Sequence, residues 1–239
     1  MMTQMNRRTL LAAVAGATAT ALAGCTGILD GSDSHDTVAL DEPDDFDELQ
    51  DLGVDYPIYG EKVPEVTVPD IITGDEISSH DYIGERHTMS TFIFTRCPGA
   101  CPALTSNLVQ AQAEAAENDD SDEIAMLEYT FDVEHDTESV FEEYAANMGI
   151  DLETGNWHFL RPESTGRAEE VVTEKFGVWF GELDDEEREE MGMHENMAFQ
   201  HENLILLVNK DGYVERAYEG EPPTPRDVLD DLNTLIERW

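Results

Sequence analysis

Two hydrophobic periods alternate along this chain. Met89 to Thr95 and Ile124 to Phe131 are near-continuous apolar runs, the pattern of strands buried on both faces. Trp157-His158-Phe159-Leu160 predicts a shorter strand. Leu204 to Val208 and Tyr213 to Tyr218 flank Asn209-Lys210-Asp211-Gly212, which predicts a hairpin. Helical spacing fills the intervals. It runs from Pro102 to about Ala116, from Thr137 to about Met148 with Val140, Phe141, Tyr144 and Ala145 on one face, and from Ser164 to Phe176. Thr224 caps a last helix whose apolar positions are Val228, Leu229, Leu232, Leu235 and Ile236. Val66-Thr67-Val68 and Asp75-Glu76-Ile77-Ser78 predict a small hairpin around Thr73-Gly74. In the order β-α-β-α-β-α-β-β-α, strands and helices alternate as in an α/β fold with a central mixed sheet flanked by helices.

The chemistry enters where the first long strand meets the first long helix. Cys97-Pro98-Gly99-Ala100-Cys101-Pro102 occupies that turn, where the helix N-terminus favours thiolates, the form that binds soft metals or attacks disulfides. The chain has three cysteines, and Cys25 belongs to the N-terminal segment discussed below. Cys97 and Cys101 are then the thiols of the folded part. They can pair with each other, share a metal or stay reduced. Two thiols after a central strand, in this order of elements, predict a thioredoxin-like α/β sandwich.

The N-terminal segment sets the address. Arg7-Arg8 precedes an apolar, alanine-rich stretch to Ala23, too short for a confident spanning helix, which resembles a twin-arginine export signal. Leu22-Ala23-Gly24-Cys25 resembles a lipobox, in which the cysteine carries lipid after cleavage. Residues 1–25 are therefore expected to be a lipoprotein signal, with the folded part lipid-anchored at Cys25 on the extracytoplasmic face of the cell membrane. Residues 26–62, acidic and poor in apolar positions, are expected to be a flexible tether, with the folded domain spanning 63–239.

Composition changes the picture once. There are 54 Asp and Glu against 13 Lys and Arg, a formal net charge of −41. Such an excess destabilises a compact state unless salt screens it, which predicts a halophilic, haloarchaeal-type protein. Hydrophobic residues at 40% exclude a wholly disordered acidic chain. The charge also argues against nucleic-acid binding, which needs a basic footprint. Acidic runs carry little site information in this background, and Asp184-Asp185-Glu186-Glu187 is read as a solvated face.

Over residues 63–239 the chain resembles the Sco/SenC family of copper-handling, thioredoxin-fold proteins associated with cytochrome c oxidase assembly. The matching pieces are Phe94 to Pro102, Phe131 to Thr137, Phe176-Gly177-Val178, and His201 ahead of an apolar strand and the Asp211-Gly212 turn. The resemblance implies one copper ion bound by Cys97, Cys101 and His201, with Asp132 as a nearby acidic residue supporting transfer. It implies a metal carrier with the copper-bearing subunit of an oxidase as partner; the family also contains members thought to act as thiol reductases, so the resemblance alone leaves enzymatic use of the two cysteines open. The chain departs from the family at Gly99, where an acidic residue is usual, and at Gln200, where an aspartate is usual. It also has Val133 where the family has a proline and His135 as its basic residue.

Softness agrees with copper, since two thiolates and an imidazole suit Cu(I). The same thiols can close as a disulfide, which removes the metal site, so an exported chain also needs a thiol reductant. Met191, Met193, His194 and Met197 precede His201 and raise the question of a second soft site. His80, His87 and His158 are expected to be hydrogen-bonded structural groups, and Trp157, Trp179 and Trp239 packing residues. Three readings follow: a copper-delivering assembly factor, an exported thiol–disulfide oxidoreductase using Cys97 and Cys101, and a peroxidase-like or purely interacting protein. His201 favours the first.

Overall fold

A computed structural model describes residues 37–192 and 197–239, apart from the side chain of Asp185. Cys25, Met193 and His194 lie outside the described residues. The core is a five-stranded mixed sheet. Its strands are β3 (His87–Ile93), β4 (Ile124–Thr130), β5 (Trp157–Leu160), β8 (Leu204–Val208) and β9 (Val214–Glu219). Their spatial order is β5-β4-β3-β8-β9, parallel from β3 through β5 and antiparallel at β8 and β9. Every residue of β3 and β4 is buried, in keeping with their largely apolar runs. A small antiparallel hairpin, β1 (Thr67–Pro69) with β2 (Glu76–Ser78), forms where the sequence predicts it.

Helices α2 (Cys101–Glu117), α3 (Glu138–Met148) and α6 (Pro225–Arg238) flank the sheet. α6 begins as expected, with the Thr224 side chain accepting the Asp227 N–H. The predicted helix over 164–176 is divided. A turn of α-helix, α4 (Thr165–Ala168), continues as a π-helix, Glu169–Lys175. α5 (Asp185–Glu190) follows a strand, β6 (Phe180–Glu182), that pairs antiparallel with β7 (Phe199–His201).

The expectation of a flexible tether up to residue 62 is corrected. Helix α1 (Phe46–Leu52) forms, and Leu40, Leu49, Tyr56, Ile58 and Tyr59 are buried in the core. Two contacts explain this. The fully buried Glu215 carboxylate accepts the backbone N–H groups of Ala39 and Leu40 at 2.8 and 2.9 Å and the Asn209 side chain at 2.6 Å. Gly177, at φ +71°, lies so close to the 55–56 backbone that a Cβ there would stand 2.1 Å from the Asp55 carbonyl. Only glycine permits that approach.

Two buried titratable groups in this core fix a pH profile. Glu128 on β4 bonds the Thr105 hydroxyl of α2, and burial pushes its carboxyl up to about 8. His87 has no hydrogen-bond partner among the described residues and packs edge-on to Trp239; burial pushes it down to about 4. This corrects the expected hydrogen-bonded role of His87, whereas His80 bonds Val63 and His158 bonds Asp70 and Tyr82. Trp239 and Trp179 are also half-exposed, unlike the buried Trp157. Between about pH 4.5 and 8 the folded chain keeps a Glu128 proton that the unfolded chain releases, so this contribution fades as pH rises. His87 contributes fully above about pH 6.5 and loses its contribution as pH falls to 4. The two slopes oppose below pH 6.5. Above it Glu128 contributes a fall of up to about 1.4 kcal/mol per pH unit, opposed by the lowered Cys97 thiol, whose contribution grows with pH. Glu128→Gln is therefore expected to make the slope of the thermal midpoint between pH 6.5 and 8 more positive than the parent's; an unchanged slope would show that Glu128 does not titrate there.

Candidate metal centre

β3 ends at Ile93 and the chain turns at once into α2. The Cys97 N–H donates to the Phe94 carbonyl at 3.2 Å, and Cys101 is the first residue of the helix. Ala100 precedes α2 without a capping side chain, and Pro102 takes a position where a missing N–H is harmless. The uncapped helix end thus faces the thiols. The Gly99 N–H donates to Cys97 Sγ at 3.3 Å.

His201 arrives from the other side of the chain. β7 ends on it, paired with Phe180 of β6. Phe94 and Phe131 hold its ring, at centroid distances of 5.8 and 5.1 Å. His201 Nδ1 donates to the Glu202 carbonyl at 2.8 Å, which turns the Nε2 lone pair toward the thiols. Nε2 lies 3.4 Å from Cys101 Sγ. The donor atoms of Cys97, Cys101 and His201 all lie within 4.8 Å of one another. With metal–ligand lengths of about 2.0–2.3 Å, donors sharing one ion stand roughly 3.5–4.5 Å apart, so the three fit a single ion.

The two sulfurs differ. Both are reduced and buried, Cys97 at 6% exposure and Cys101 at 1%. The hydrogen bond from Cys101 lowers the Cys97 thiol, aided by the N–H groups of Cys101 and Gly99 and opposed by burial. Burial, then the bond to Cys97, raises Cys101. One thiolate at the mouth and one protonated thiol beneath it can load a soft cation with release of a proton, or attack a disulfide.

Asp132 is not among the three donors. It pairs at 2.7 Å with Arg96, the residue before Cys97, and so acts on the thiol turn through its neighbour. Its own cluster with His135 and Asp136 is a lock between two loops. Buried Asp136 accepts the Thr95 N–H at 3.2 Å, the Thr95 hydroxyl and the Thr130 hydroxyl, and burial raises its carboxyl. The roles of Arg96, Asp136 and the Phe94–Phe131 ring pair were not evident from the sequence. These residues lie in the two segments that carry the family resemblance, just beyond the ends of β3 and β4, but nothing local marks their roles.

The comparisons with known proteins follow this geometry. A 163-residue match at 27% identity, covering 67% of this chain and 76% of the relative, is the SCO1 protein homolog of Bacillus subtilis strain 168. Among solved structures, a SCO1/SenC family lipoprotein from Bacillus anthracis superposes with a TM-score of 0.58 at 19% identity, over 73% of this chain and 95% of that one. Yeast Sco1 with copper bound gives a TM-score of 0.57 at 15% identity, over 75% and 91%. These likenesses establish the thioredoxin-like fold expected from the order of elements. The SCO1/SenC family pattern covers residues 72–237, more than half of the sequence, and the chain belongs to that family.

Proposed function

We propose that this chain is a membrane-tethered, extracytoplasmic copper-binding protein that delivers copper to, or matures the copper site of, a cytochrome c oxidase subunit. The observation that carries the reading is the convergence of Cys97, Cys101 and the Nε2 of His201 on one point. Two soft sulfurs and a neutral imidazole match Cu(I). Relatives support it: yeast Sco1 and Bradyrhizobium japonicum ScoI were solved with copper bound, and BsSco is described as a member of the Sco family of cytochrome c oxidase assembly proteins.

Copper is cargo here. The chain's residues receive it at the Cys97 thiolate, release the Cys101 proton, and orient His201 through Glu202. Hand-over needs a client whose ligands enter the mouth over Cys97. The tether reading has a geometric consequence. Asn209 and Glu215, which pin residues 37–40, lie at the His87 end of β3, because Thr88 pairs with Val208. The thiols lie beyond the other end. A lipid at Cys25 is joined to the domain at the His87 end through the eleven residues 26–36, which span at most about 40 Å. No helix among the described residues is long and apolar enough to cross a membrane.

The alternative is an exported thiol–disulfide oxidoreductase, favoured by the two adjacent free thiols. In that reading the Cys97 thiolate attacks a client disulfide, Cys101 resolves the mixed disulfide, and the client leaves with two thiols. The test is metal analysis of reduced protein in molar KCl. About one copper per chain is expected in the parent and none in Cys97→Ser or Cys101→Ser. A parent that retains no copper overturns the copper reading.

A further inference from the structure

We propose that the Met197 thioether is a fourth, soft contact to the copper held by Cys97, Cys101 and His201, and that Gly99 is bare in order to admit it. The proposal rests on the copper reading above. A cavity of about 180 Å³ opens over the thiols, walled by Cys97, Met197, Gln200, His201 and Asn203 among others. The chain carries 54 acidic residues, yet none of the described residues lining this cavity is acidic. A fourth donor from this wall is therefore neutral: a thioether or a side-chain amide. Of these, sulfur matches the softness of the other donors.

Gly99 gives Met197 its place. A Cβ built on Gly99 would stand 3.3 Å from the Met197 methyl and 3.6 Å from Cys97 Sγ. The thioether and the thiol therefore press on the same bare patch of the turn. Met197 is held there from behind. Ala198 and Phe199 are buried, the Leu183 N–H donates to the Ala198 carbonyl at 2.9 Å, and Met197 itself is half-buried against the core. A methionine is unbranched and neutral, so it can follow an ion that arrives and leaves without adding a charge that titrates. Its softness favours Cu(I) over Cu(II). Any larger residue at position 99 would push it outward.

The experiment compares the parent, Met197→Leu and Gly99→Ala, each reduced, loaded with one equivalent of Cu(I) in molar KCl, and shown folded by circular dichroism. Leucine keeps the apolar bulk and removes the sulfur. Met197→Leu is expected to weaken Cu(I) about tenfold in competition with a chromophoric chelator, a loss typical of supporting metal-site residues. It is also expected to lower the Cu(II)/Cu(I) potential and remove one sulfur from the copper X-ray absorption shell. Gly99→Ala, which displaces the thioether, is expected to shift both quantities in the same direction by less. Met197→Leu with affinity within about twofold of the parent, and an unchanged sulfur shell, overturns the proposal and makes Met197 a packing residue. A parent that binds no copper overturns the copper reading itself, and this inference with it.

Discussion

On dilution from molar KCl to about 0.1 M salt the domain is expected to unfold. The chain has 54 acidic residues against 13 Lys and Arg. Most of the few cations are already paired, as in Arg96 with Asp132, Arg216 with Asp231 and Lys210 with Glu123. The remaining carboxylates repel one another across the surface. At molar salt the screening length is about 3 Å, shorter than the spacing of neighbouring charges; at 0.1 M it is about 10 Å, and repulsion spans several side chains. A net stability of only about 5–15 kcal/mol leaves little to resist that sum. Circular dichroism and thermal midpoints across a KCl titration measure it. A fold equally heat-stable at low salt would contradict the halophilic reading.

The second large effect separates copper delivery from thiol reduction. In a His201→Ala strain at limiting copper, oxidase activity is expected to fall as far as in Cys97→Ser and Cys101→Ser strains. His201 supplies the third donor of the site, fixed in tautomer by Glu202 and in orientation by Phe94 and Phe131. Removing it leaves both thiols able to close as a disulfide, so a reductase would tolerate the change. Oxidase activity at the parent level in the His201→Ala strain, with the cysteine strains inactive, would favour the reductase.

The central strands are legible because β3 and β4 are buried on both faces and therefore rich in apolar residues, with few charges to break the run. The thiol turn was legible because strand, Cys97, Cys101 and helix are contiguous. His201 was not legible from spacing. It meets Cys101 across 100 positions, and what brings it there is the register of β6 with β7 and of β3 with β8, which only the folded chain defines. Its place came from the family resemblance. The order of segment 37–62 is not legible because its acidic composition hides Phe46, Leu49 and the αL Gly53 that closes α1. Glu215 resembled any other acid of this surface, and nothing local marks it as the anchor of residues 39 and 40. The run read as a solvated face contains a capping box, Asp184 with Glu187, and that signature does announce α5.

Copper K-edge X-ray absorption of the reduced protein, loaded with one equivalent of Cu(I) in molar KCl, tests the three-donor site most directly. The account predicts about one retained copper per chain, with at least the sulfurs of Cys97 and Cys101 and one imidazole nitrogen in its first shell, and no free thiol left to a thiol reagent. A shell of oxygen and nitrogen alone, with both thiols still titratable, would contradict it.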